Sequence, residues 1–192
     1  MKFIHVVFLN MFFVFLGVFE LSAYSYAAAG KEPTIDAKER IVGAINRDDF
    51  SDAKKIFAEY EQNYRYLNDD FVKGLYDGLK NSIEQKDKAK SVKYLELSLA
   101  AEIQRRIEGG FKNIDNYNVA KVMLAKANKF YKLLSISLDK SVDEKLKNSI
   151  KSCNEAIGNP GLFGVGSKSA DKEAYAKYQK IIVDIVQSLI SL

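Results

Sequence analysis

From Asp36 to Leu189 apolar residues recur every three or four positions, and no segment alternates apolar and polar residues over the length of a strand. A repeat near 3.6 puts such residues on one face of a helix, whereas a half-buried strand needs a repeat of two. The chain is therefore expected to be all-α. Short polar or glycine-bearing connections between the periodic stretches predict an antiparallel helical bundle or an array of helical hairpins with about six to seven helices.

The local signals place those helices. Asp36 is expected to cap a first helix ending near Asn46, and Asp48 or Asp49 to open a second with Phe50, Ala53, Ile56, Phe57 and Tyr60 on one face. Asn68-Asp69-Asp70 is read as the start of a third, carrying Phe71, Leu75, Leu79 and Ile83. An aspartate at a helix start supplies a cap acceptor and suits the positive end of the dipole. Two long helices follow. One runs from about Lys88 to Glu108 and is expected to stop at Gly109-Gly110, the other from about Asn116 to Leu138. Ser141 with Glu144 reads as a capping box for a sixth helix. Ser169 is expected to cap the last, whose stripe is Tyr178, Ile181, Ile182, Ile185 and Leu189. The stretch 44–60, AINRDDFSDAKKIFAEY, resembles the turn and second helix of a tetratricopeptide unit, with Ala53, Phe57 and Tyr60 as packing positions. The resemblance covers one unit, and no 34-residue period continues it, so it implies a helical hairpin in the front third and no repeat array.

Ahead of this helical region Lys2 is followed by an apolar run from Phe3 to Phe19 and a small-residue exit at Ala27-Ala28-Ala29. That order is the pattern of a secretory signal peptide. The run falls short of the roughly 20 predominantly apolar residues of a spanning helix, so residues 1–29 are read as a cleaved leader and 30–192 as one helical domain without a membrane span. Cleavage would remove His5, the only histidine, and leave 163 residues, enough for one real core. Cys153 is the sole cysteine, and no N-x-[ST] glycosylation site is present. Together these favour a bacterial envelope location, periplasmic or secreted.

The same features limit the chemistry. Without histidine a mature chain cannot assemble a Ser-His-Asp or Cys-His set, an H-E-x-x-H zinc site or E-x-x-H diiron pairs. Lysines spread over nearly every segment read as a solvated surface, not as a nucleic-acid face, which would concentrate basic side chains and use arginine. The segment 158–169, GNPGLFGVGSKS, comes near a phosphate loop. Ser167 nevertheless displaces the lysine from its required position and no strand precedes it. It reads as a connection, with Leu162, Phe163 and Val165 tucked against the bundle.

Four residues stand out as candidates for binding. Glu96 falls inside the apolar arc of its helix, Lys126 interrupts the stripe Val119, Met123, Phe130, Leu133, and an antiparallel pairing of the two helices could bring them together. Arg106, four residues after Glu102, reads as half of a surface ion pair or as part of an anion clamp with Arg105. Phe163 sits in the glycine-rich loop. Tyrosines 60, 64, 66 and 76 intersperse with Glu59, Glu61, Asp69, Asp70 and Asp77, a mixture of hard oxygen donors without the spacing of a known metal loop. No cofactor is expected. The functional expectation is an exported helical domain with a non-enzymatic protein- or peptide-interaction role, its partner an envelope protein or peptide. The alternative is a ligand- or metal-binding bundle using carboxylates and tyrosines.

Overall fold

The computed structural model describes residues 32–161 and 165–190. Within them lie eight α-helices, one more than the upper sequence expectation, and no β-strand. The expected leader, residues 1–29, falls outside the described residues.

α1 (Pro33–Asn46) begins three residues before Asp36. Glu32 is extended at the N-cap position, and Pro33 takes the first turn, where its missing N–H costs nothing. Asp36 instead sits in that turn, facing the positive dipole end. α2 (Phe50–Glu59) is capped by Asp49, whose carboxylate accepts the Asp52 amide at 2.9 Å. The additional helix is α3 (Glu61–Asp70), which follows α2 after a single residue: Tyr60 ends one helix and begins the next. Asn68-Asp69-Asp70 therefore closes a helix rather than opening one. Asn68 still acts as a cap from a distance, its side-chain oxygen accepting the Gly74 amide at 2.9 Å and the Tyr76 amide at 3.3 Å. These lie at the start of α4 (Leu75–Glu84), which Gly74 enters with φ at +86°.

α5 (Lys88–Lys112) is 25 residues long, roughly 37 Å, and runs straight through Gly109-Gly110. Those glycines are a packing surface and not a stop. A Cβ at Gly110 would overlap the Tyr175 hydroxyl, which donates to the Ile107 carbonyl at 2.9 Å. α6 (Tyr117–Leu134) is capped by Asn116 and ends in a 3-10 turn at Ser135–Ser137. α7 (Lys140–Ala156) starts before Ser141, with Asp139 at the cap position and no side-chain capping bond, so the expected capping box does not form. α8 (Lys172–Ile190) is capped by Asp171, whose carboxylate accepts the Ala174 amide at 2.8 Å. Ser169 lies upstream in the loop.

Helices α5 to α8 form an up-down-up-down ring in which α5 packs on α6, α6 on α7, α7 on α8 and α8 back on α5. The remaining helices build a front layer: α1 pairs with α2, and α4 packs against α2, α3 and α5. Two apolar cores result. The front one contains Ile41, Ile45, Phe57, Tyr64, Leu79 and Leu95, and the larger rear one contains Leu99, Ile103, Ile107, Phe130, Tyr175 and Ile182. α5 supplies side chains to both, and Tyr94 touches both, lying against α4 where Gly78 leaves no Cβ in its way. No described helix is long and apolar enough to cross a membrane. In the loop before α8, Asn159 and Lys168 exchange backbone hydrogen bonds of 2.8 and 2.7 Å. Val165 projects outward, 79% exposed, instead of tucking against the bundle. Leu162 and Phe163 lie outside the described residues.

Candidate functional site

Where α1 meets α5 and α6, the structure gathers five charged side chains around two buried carboxylates, with the three cations partly buried. Glu32 accepts Arg106 at 2.8 Å and Lys126 at 3.0 Å, with its own side chain only 4% exposed. Glu102 is fully buried and is held by Arg105 at 2.7 Å and by the Thr34 hydroxyl at 2.8 Å. Asn63 of α3 donates in turn to Thr34 at 2.8 Å. An ion taken out of water loses several kcal/mol of solvation and persists only where opposite charge and hydrogen bonds replace it. Each carboxylate here has both. Burial and the adjacent Arg105 lower the Arg106 pKa, and Glu102 and Glu32 oppose that shift.

This cluster revises the sequence expectations. Glu102 and Arg106 do not form a surface pair: Glu102 is buried, the Arg106 side chain is only 11% exposed, and Arg106 binds Glu32 more closely than it approaches Glu102, 3.7 Å away. Lys126 turns to Glu32 and not to Glu96. Glu96 is half-buried and lines a separate crevice with Lys93, Leu97, Leu134, Leu138 and Leu189. Arg106 and Lys126 are thus brought together, Glu96 is not, and Phe163 lies outside the described residues. The key anion, Glu32, carries no periodic signal of its own, because it stands between the expected leader, residues 1–29, and the helical periodicity that begins at Asp36. Pro33 beside it, a favoured first-turn residue, was the available signal that a helix begins there.

A second polar assembly surrounds the corner between α2 and α3, the tyrosine- and carboxylate-rich region of the sequence. On one side the Tyr60 hydroxyl donates to Asp36, while Arg40 donates to Glu59 and to the Tyr60 oxygen and stands 5.6 Å from the Tyr60 ring centre. On the other side the Tyr76 hydroxyl donates to Glu61 at 2.9 Å, and Arg65 pairs with Glu61 at 2.7 Å while stacking 4.0 Å over the Tyr76 ring. Both phenols are held protonated, Tyr60 chiefly by its bond to Asp36 and Tyr76 chiefly by desolvation and then Glu61. Between them lies an open recess of about 840 Å³ bordered by Pro33, Ala58, Tyr60, Gln62 and Arg65. A smaller recess of about 250 Å³ continues past Phe57 and Tyr76.

The carboxylates of this corner are taken by the chain's own arginines and tyrosines. Among the described residues no group of three His, Cys, Asp or Glu side chains is disposed to hold a metal ion. Cys153 is fully buried, and desolvation pushes its thiol pKa up to about 12. The chain matches no protein-family model, and no curated protein or solved structure matches it.

Proposed function

We propose that this chain is an exported, periplasmic helical domain that works by holding a protein or peptide segment, without catalysis. The carrying observation is the α2–α3 corner, where two arginine-tyrosine-carboxylate sets flank an open recess. Tyrosine and arginine contribute disproportionately to binding energy at protein interfaces. Here their side chains are already fixed by hydrogen bonds and ring stacking, so docking a partner freezes few rotamers. The recess is open and polar-rimmed, a shape suited to an extended segment more than to an engulfed small molecule. Carboxylates already partnered within the chain favour this reading over a metal-binding one. Export rests on the N-terminal charge, apolar run and small-residue exit.

The test uses the full-length protein in its native cell. A photo-crosslinking residue replaces Ala58 or Gln62, both exposed beside the recess, with exposed Lys147 on α7 as the control position. Discrete adducts at 58 and 62 that are absent at 147 and are lost when Arg40 and Arg65 are both changed to alanine support the reading. Adducts indifferent to those arginines, or none at all, defeat it. Fractionation with intact-mass measurement examines export separately: a periplasmic product lacking about 29 residues is expected, and a full-length cytoplasmic product would refute that half.

A further inference from the structure

The crevice that holds Glu96 lies at the end of the four-helix ring, where the N-terminal half of α5, the 3-10 turn after α6 and the last turn of α8 meet. Its walls are Leu97, Leu134, Leu138 and Leu189, and Lys93 and Glu96 stand at its edge. Its volume is about 140 Å³. Apolar cavities of roughly 150 Å³ accept a group the size of benzene, so the space suits one branched aliphatic side chain. Such a side chain projects from the same surface: Ile136, between the crevice residues Leu134 and Ser137, is 86% exposed, the most exposed large hydrophobic residue among those described.

Lys93 and Glu96 add charge to this knob and hole. They sit one turn apart on α5, opposite in sign, and neither forms an ion pair among the described residues, not even with the other. A patch that carries a knob beside its own hole and a cation beside an anion is complementary to itself. Two-fold symmetry brings residue i of one copy to residue j of the other and j to i, which would pair each Lys93 with the Glu96 opposite and seat each Ile136 in the facing crevice.

We propose that this end of the bundle is a homodimer interface, its occupant a second copy of the chain. The contact is small and belongs to the weak end of specific interfaces. It uses none of the α2–α3 corner residues, so dimerisation and partner capture can succeed or fail independently.

Sedimentation equilibrium of the mature protein over a wide concentration range tests the idea. A monomer–dimer equilibrium is expected, with the dissociation constant raised about tenfold or more by Ile136→Asp, as for a central anchor residue; Ile136 is exposed, and circular dichroism checks that the variant keeps its fold. The decisive measurement is a charge exchange. Lys93→Glu alone places two anions on each copy and Glu96→Lys alone two cations, so each variant should be monomeric. An equimolar mixture restores both cross-pairs and should dimerise. Wild-type protein monomeric at every concentration would overturn the proposal, whether the crevice is then covered by residues 191–192 or by another protein. A dimer indifferent to both charge variants and to Ile136→Asp would overturn it as well.

Discussion

Glu32 and Arg106 are 74 positions apart in the chain, yet their side chains meet at 2.8 Å in a site almost closed to water. Lys126 reaches the same carboxylate from α6, so one residue ahead of the first helix ties together α1, α5 and α6.

Glu32→Ala should therefore be among the most damaging single changes at the chain's beginning. It leaves Lys126 without its carboxylate and Arg106 with Glu102 alone, 3.7 Å away, and removing one partner of a buried pair costs about 3 kcal/mol. Urea unfolding followed by circular dichroism measures it. A change below about 0.5 kcal/mol, the scale of ordinary surface substitutions, would mean that water reaches the site freely.

The α5–α8 contact predicts a compensating pair. Gly110→Ala sets a methyl group against the Tyr175 hydroxyl, an overpacking expected to cost about 1–3 kcal/mol. Tyr175→Phe removes that oxygen together with its hydrogen bond to the Ile107 carbonyl, at about 1 kcal/mol. The double variant should be more stable than the sum of the two losses implies, and a double-mutant cycle reads the coupling. Strict additivity would show that the clash is relieved elsewhere.

Cys153 should resist thiol reagents in the native state. At pH 8 a thiol with a pKa near 12 is almost wholly protonated, and the thiolate is the reactive form. Ellman's reagent should label it only when the protein unfolds. Fast stoichiometric labelling under native conditions would contradict the burial.

Alkaline stability follows from the same sign. Burial raises the Cys153 pKa to about 12, and burial with the hydrogen bond to Asp143 raises the Tyr131 pKa to about 12. Tyr64 and Tyr175 are also shifted upward by burial. Between the ordinary values, near 8.5 and 10, and these raised ones, the unfolded chain has released protons that the folded chain retains. Stability should be unaffected by these groups below about pH 8 and should decline as pH rises through 9 to 12. Urea midpoints at stepped pH test it, and a midpoint that rises over that range would reverse the assignment.

Much of the architecture was legible because amphipathic periodicity reports which face of a helix is buried. That signal is local, and it fails where a distant neighbour decides. Gly109-Gly110 reads as a stop because glycine commonly ends helices, but Tyr175 needs the space and comes from 65 positions later. Glu102 and Arg106 read as a surface pair because their spacing is that of exposed pairs, until α1 and Thr34 cover them. Tyr60 interrupts what periodicity extends smoothly from α2, so α3 was not separated. The tyrosine and carboxylate mixture was visible as composition, but its division into two arginine-tyrosine-carboxylate sets depends on Arg40 from α1 and Tyr76 from α4.

The sharing of α5 between two cores also bears on the order in which a growing chain can become stable. The front core counts Leu95 of α5 among its members, so the four helices before α5 cannot complete their packing until α5 has joined them. Glu32 waits longer still, since its second cation is Lys126. The buried charge cluster therefore closes only once α6 has been made, so the last contacts of α1 are among the latest that the chain can form.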